Sequence, residues 1–486
     1  KLYDNLFIET NIQSPDYDGV IFILYPEELN VAPPRHIKSF IDKIAKIDKH
    51  IHKTPTLWNC DYVSGERLIL APTGKITPYH DIRVVKEAAK KGMTRALDAG
   101  MKKPLLIAQN VVDFPDGQLV CILGGLEALY VPLQIRERKE VKNVLKIGLY
   151  AEEKPNENFE KIVRNAIGLE RARAFARDIA GGDPERMTPA NVVAYVKQIF
   201  AGSSNVTIKV IEDEKIIEED YPLLAAVSRA ANRVDRHKAR VLELEYIPSD
   251  LSRVTETVML VGKGVTYDTG GADIKISGKM AGMSRDKSGA AAVAGFLKAC
   301  SILKPPHLKV IGVLCLCRNS VGEDSYVADE LLMSKSGKLV RVTNTDAEGR
   351  FAMADSVFKM SEIAAKELNP HIYTIATLTG HERLCYGGYS AAMDNYSARA
   401  TNHATRLQLS GSRMSEGIEV SVIRPEDFTV NAGKCKGDDL VQLDTNQTAR
   451  NHQFAAGFLI VVGGLEDKNI KFTHLDIAGG AGAPPD

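Results

Sequence analysis

The sequence predicts an α/β fold in two domains. A smaller N-terminal α/β domain precedes a larger C-terminal domain, built on a central mixed, largely parallel sheet flanked by helices. Three observations carry this. The chain has 486 residues, 44% of them hydrophobic, enough for more than one domain with a large core. Short apolar runs alternate with helical patterns, as βαβ units do. A polar, proline-containing break, KPNEN at 154–158, separates the two regions.

The first region, residues 1–153, offers buried strands at 19–25 (GVIFILY) and 105–108. Helical spacing covers 36–50 and 87–99, and residues 117–129 have a glycine-broken apolar character. It shows no clustered acids, no phosphate loop and no nucleophile motif, and reads as a structural or assembly domain. Residues 154–182 form a linker helix, amphipathic over 158–180 and stopped by Gly181-Gly182. The second domain, 183–486, opens with Thr188 as helix cap and Pro189 in the first turn. One strand is predicted to end at 258–261 and others to cover 308–316 and 372–378, with helices at 288–303 and 349–368. Such alternation places a largely parallel sheet between helical layers.

Lys+Arg and Asp+Glu are equal at 62 each, so the net charge is zero, which offers no support for a nucleic-acid or membrane-surface partner. The seven cysteines are scattered and odd in number, which is no disulfide framework. Cys315 and Cys317 share one face of an apolar strand and read as small buried hydrophobes, with a redox or metal role the alternative. No leader pattern opens the chain and no apolar stretch is long enough to span a bilayer, so a cytoplasmic location is the default expectation.

Two segments carry the chemistry: VGKGVTYDTGGADIKISGKMAGMSRD at 261–286 and NTDAEGR at 344–350. Each is read as joining a strand to a helix, where ligands bind in α/β sheets. Glycines 262, 264, 270 and 271 suit sharp turns or close backbone approach. A phosphate loop is a second reading of GKG, but the GKS/GKT ending is missing and acids stand where phosphates would be repelled. Asp268, Asp286, Asp346 and Glu348 each read singly as a helix cap or turn residue. Four acids at one sheet edge would repel one another unless cations sat among them. Oxygen ligands with one nitrogen donor suit Zn²⁺, Mn²⁺ or Mg²⁺. Their convergence is an assumption that spacing alone does not supply.

The pattern VGKG-x3-D-TGG-x3-K-x10-D, with NTDAEGR downstream, resembles the signature of the leucyl aminopeptidase family. ATLTG at 376–380 and HLDIAG at 474–479 are further echoes, and ARDIAGGDPERMTP from Ala176 is a looser one. The resemblance covers about residues 160–480 and implies a dinuclear metallo-aminopeptidase. By that resemblance Lys263, Asp268, Asp286 and Glu348 hold a tighter metal, and Asp268, Asp346 and Glu348 a more exchangeable one. Zn²⁺ is the first expectation, with Mn²⁺ or Mg²⁺ open at the exchangeable site, and the usual two-metal separation is roughly 3.5–4 Å. Lys263 would then be neutral, its pKa lowered by a dication. Lys275 would hold the oxyanion and Arg350 a bicarbonate acting as general base, with water or hydroxide bridging the metals as nucleophile. Asp286 would meet the substrate amine; Met283, Thr377, Leu378 and Gly380 would line the side-chain pocket. The resemblance further implies peptide substrates, a leucine-like default and a homohexamer. A binding or architectural role is the competing class, but it gives no reason to keep Lys275 and Arg350.

Departures from the family pattern are Lys287-Ser288 after Asp286, Asp273 before Lys275, Arg318-Asn319 after a strand, and the tail from Gly479. Lys287 could bring a cation toward the metals, and Asp273 could draw Lys275 away.

Overall fold

A computed structural model describes residues 5–29, 31–139, 144–277, 279–444 and 448–482. The chain forms two compact units: 1–131, 135–171 and 410–416 make the first, and 132–134, 172–409 and 417–486 the second.

In the first unit, strands β1 Leu6–Glu9, β2 Gly19–Leu24, β3 Thr56–Asn59, β4 Arg67–Pro72, β5 Pro104–Ile107 and β6 Ile147–Tyr150 form one sheet, ordered β1-β6-β5-β2-β4-β3. Every pairing is parallel except β3 with β4. All six residues of β2 are buried, as the run GVIFIL requires of a central strand. Helix α1 Arg35–Ile47 buries Ile37, Ile41 and Ile44, one per turn; helix α2 spans Arg83–Asp98. The glycine-broken segment proves to be a helix, α3 Gly117–Glu127. Its glycines serve packing: a Cβ on Gly124 would lie 2.4 Å from the Lys86 carbonyl oxygen on α2.

Helix α4 Glu157–Gly181 is the long helix expected over 158–180. In the second unit, α5 Pro189–Phe200 starts as predicted, with the Thr188 hydroxyl accepting from the Asn191 amide. Strands follow in the order β7 Val206–Ile211, β8 Arg240–Tyr246, β9 Glu256–Asp268, β10 Leu308–Asn319, β11 Leu331–Met333, β12 Leu339–Arg341, β13 Pro370–Ala376, β14 Ser390–Asp394, β15 Ile418–Val420, β16 Leu440–Val441 and β17 Lys471–Asp476. Eight of them form a mixed sheet, β15-β14-β17-β13-β9-β10-β8-β7, whose central run β17-β13-β9-β10 is parallel. Helix α6 Ser288–Leu303 packs with α5 on one face; helices α7 Glu348–Ala364 and α9 Asn451–Val462 pack on the other. Helix α8 Gly380–Tyr386 follows β13.

Strand β9 alternates between these layers. Met259, Val261 and Val265 face the α7 core, while Leu260 faces the α6 core. This corrects the strand end expected at 258–261, since β9 runs on through VGKG to Asp268. Gly262 and Gly264 are strand residues, not turns. A Cβ on Gly262 would lie 2.6 Å from the Ala290 Cα, so glycine is what lets α6 lie close on the sheet.

Candidate active site

The carboxyl ends of the parallel strands carry the acids. Lys263 shares the parity of Val261 and Val265, so it points to the α7 side. Asp268, five residues on, would face the opposite way along a regular strand. The register against β10 resolves this: Val265 pairs with Cys317 and Asp268 with Asn319, three residues matched against two. This bulge inserts one residue into β9 and turns Asp268 back to the side of Lys263.

Lys263 is buried, with Nζ 2.7 Å from Asp286 Oδ1 and 2.9 Å from Glu348 Oε1, and it donates to the Thr377 carbonyl at 3.0 Å. Lys275 Nζ lies 2.9 Å from Asp268 Oδ2 and pairs with Asp346 Oδ1. Ligand atoms of Asp268, Asp346 and Glu348 lie within 4.8 Å of one another. Asp286 closes the turn Met283–Arg285, and Glu348 opens α7 behind the turn Thr345–Ala347. Gly349 leaves room for this approach, since a Cβ there would lie 2.7 Å from Lys263 Nζ. The structure therefore brings Lys263, Lys275, Asp268, Asp286, Asp346 and Glu348 into one cluster.

The cluster has an excess of acid. Burial opposes both ammonium charges, yet the surrounding carboxylates outweigh it and hold Lys263 and Lys275 above the ordinary lysine range. Burial and neighbouring acids raise Glu348 well above its usual range, and burial pushes Asp286 up to about 6. Two buried carboxylates are only half satisfied among the described residues: Asp286 Oδ2 and Glu348 Oε2 have no hydrogen-bond partner, and Glu348 Oε1 meets only the Lys263 ammonium. Such orphans are expensive in a protein interior unless a cation completes them.

Arg350 is buried on α7, its Nη1 donating to the Gln442 carbonyl at 2.7 Å, with Nε unpartnered. Burial pushes its pKa down to about 10. Met283, Thr377, Leu378 and Gly380, the residues expected at a side-chain pocket, line the same cleft as the acids, a space of about 400 Å³.

Other residues hold this arrangement, and the sequence pattern did not single them out for it. Asn319 Nδ2 donates to Asp268 Oδ1 at 2.9 Å and to the Thr345 carbonyl at 3.1 Å. The Gly270 amide, at φ +88°, also donates to Asp268 Oδ1. Asp476, in the HLDIAG echo, accepts from the Leu378 amide at 3.1 Å and the Thr379 hydroxyl at 2.8 Å. Gln442 accepts from the amides of Thr343 and Asn344. Asp273 accepts from the Thr345 amide at 2.7 Å and does not draw Lys275 away. Lys287 is fully buried, donating to the carbonyls of Gly182 and Ser284, and burial pushes its pKa down to about 7. Arg318 stacks over Tyr267 at 5.3 Å. Cys315 and Cys317 are buried, and burial raises both thiols, as small hydrophobes would show.

The family model described as "Cytosol aminopeptidase family, catalytic domain" matches residues 174–485. The chain belongs to the cytosol aminopeptidase family, whose members are metal-dependent peptidases. A putative aminopeptidase of Caenorhabditis elegans, W07G4.4, is 41% identical, over 98% of this chain and 94% of that one. A probable cytosol aminopeptidase of Campylobacter jejuni is 28% identical, over 84% and 81%. Among solved structures, the bottromycin maturation enzyme BotP in complex with Mn superposes with a TM-score of 0.77 at 22% identity, covering 95% of this chain and 92% of that one, a likeness of fold. No helix among the described residues is long and apolar enough to cross a membrane.

Proposed function

We propose that the chain removes single residues from the N-termini of peptides through two divalent cations held by Lys263, Asp268, Asp286, Asp346 and Glu348. The carrying observation is the buried cluster in which Glu348 Oε2 and Asp286 Oδ2 lack partners among the described residues. Its donor set, oxygens with one amine, fits Zn²⁺, with Mn²⁺ or Mg²⁺ at the more open edge near Asp346. Bound there, the cations would supply Lewis acidity toward the scissile carbonyl and lower the pKa of water.

This chain's own residues do the rest. Lys275 carries a positive charge at the cluster's edge, suited to an oxyanion once cations relieve it of Asp268 and Asp346. The unpartnered Arg350 Nε supports a small anion such as bicarbonate as the proton acceptor, because a buried guanidinium donor needs one. Asp286 would receive the substrate's ammonium, which would confine cleavage to the terminal residue. A leucine-like side chain is the family default. The assembly proposed is a homohexamer in the cytoplasm, and a monomer with full activity in light scattering would refute that assembly.

Hydrolysis of leucine p-nitroanilide before and after chelation, then with Zn²⁺ or Mn²⁺ restored, tests the metal reading. Activity is expected to vanish with the metals and return with them. Full turnover by protein shown to be metal-free would refute it. Lys275→Ala and Arg350→Ala are expected to keep their metals and lose turnover.

A further inference from the structure

The cleft contains two cations that the metal cluster does not use. Arg285 and Arg383 line it beside Met283, Thr377, Leu378 and Gly380. Arg285 stands immediately before Asp286, at the end of the turn Met283–Arg285. Among the described residues its Nε is buried without a partner, and its Nη1 donates to a neutral acceptor, the Gly482 carbonyl. Arg383, on α8, is exposed and close enough for its charge to act on Arg285. The neighbouring acid is Glu382. Its Oε2 accepts from the Gly479 amide, its Oε1 is unpartnered, and burial pushes its pKa up to about 8, so at neutral pH it does little to offset Arg383.

Two guanidiniums lining one cleft, with no carboxylate partner among the described residues, are an unfinished arrangement, since like charges repel and buried donors go unmet. A carboxylate between them would complete both, because the planar fork of arginine matches its geometry. Ala478, Ala481 and Gly482 line the same cleft, and their small size takes up little of it.

We propose that Arg285 and Arg383 select peptides whose N-terminal residue carries an acidic side chain, glutamate or aspartate. This assignment rests on reading the Met283-to-Gly380 wall as the side-chain pocket, and it departs from the leucine default. A leucine side chain would dry the Arg285 donors further and return no partner, whereas a site built around polar groups discriminates against side chains that leave them unpaired.

The test is steady-state hydrolysis of glutamyl and leucyl p-nitroanilides by the metal-loaded enzyme. Neither substrate has a C-terminal carboxylate, so a preference reports the side chain. The glutamyl kcat/KM is expected to exceed the leucyl value by about tenfold, the scale of one well-placed charged contact. Arg383→Ala and Arg285→Ala are each expected to lower the glutamyl-to-leucyl ratio by about tenfold. Thermal melting would verify that the variants are folded. A wild-type preference for the leucyl substrate, or a ratio unmoved in folded Arg383→Ala, would overturn the assignment while leaving the peptidase reading intact. Absence of turnover on both substrates with metals bound would overturn that reading and the assignment with it.

Discussion

The two ends of the parallel strands in the second unit treat buried polar groups in opposite ways. At the amino end, His371 on β13 bonds Thr473 on β17 at 2.8 Å, and the Thr473 hydroxyl donates to Asp394 Oδ1 at 2.7 Å. Because Thr473 gives its proton to Asp394, His371 Nε2 must be the donor to Thr473. The Tyr373 hydroxyl meets His403 Nε2 at 2.8 Å, and the His371 ring lies stacked on Tyr373 at 4.2 Å. None of these side chains appears among the buried groups without a partner. At the carboxyl end, Asp286, Glu348, Arg350, Glu382 and Arg285 all leave buried atoms unmatched. One end is complete in itself and works as structure. The other is complete only with something added, which is how a protein interior marks a binding site.

Asp268→Ala is the most severe way to challenge that contrast. Losing a carboxylate that faces both lysine and acid neighbours is expected to release bound metal and lower turnover by about a thousandfold or more. Metal content by elemental analysis checks this, and retention of both ions would argue against a bridging Asp268. Asp476→Asn acts at one remove, by loosening the Leu378 amide and Thr379 hydroxyl. A fall in kcat of about 10–100-fold with metals retained is expected, the usual effect of residues that support ligands. His371→Phe should show the reverse, a stability loss of about 1–3 kcal/mol in denaturant unfolding with kcat little altered. A large loss of kcat there would erase the distinction between the two ends.

The smallest effect is a difference in pH response. Burial depresses His371 to about 2 from 6.5, so its neutral form is favoured by folding. The unfolded chain takes up a proton that the folded chain refuses, and stability falls as pH drops below 6.5. Glu382 is raised by burial from 4.5 to about 8, so stability on its account falls as pH rises from 4.5 toward 8. His371→Phe is therefore expected to flatten the acid side of the stability profile, and Glu382→Gln the alkaline side, in melts across pH 4–9.

Much of this was legible in the sequence because periodicity and motif order are local properties. The buried run GVIFIL gave β2 and the alanine-rich stretch gave α6, both close to their observed bounds. Residues 117–129 misled because their glycines suggested interruption, where in the folded chain they allow one helix to touch another. The six charged residues that meet in the cluster were named from their motif, but their meeting depends on sheet order, which no local pattern contains. Asn319, Gln442 and Asp476 were not recognised as supports, because a hydrogen bond across some fifty to a hundred residues leaves no spacing signal. That Arg285 and Arg383 share a cleft with no carboxylate partner among the described residues is invisible for the same reason.

The bulge in β9 makes the interval between Lys263 and Asp268 a matter of counting. Pairing without the bulge at the present length would restore regular alternation and swing the aspartate into the opposite layer, among alanines and leucines of α6, whereas removing one residue between Val265 and Asp268 would dispense with the bulge and keep the aspartate on the Lys263 side. The odd interval between Lys263 and Asp268 therefore brings the two side chains together only because the strand takes in one extra residue, so their meeting is written there in number before it is written in chemistry.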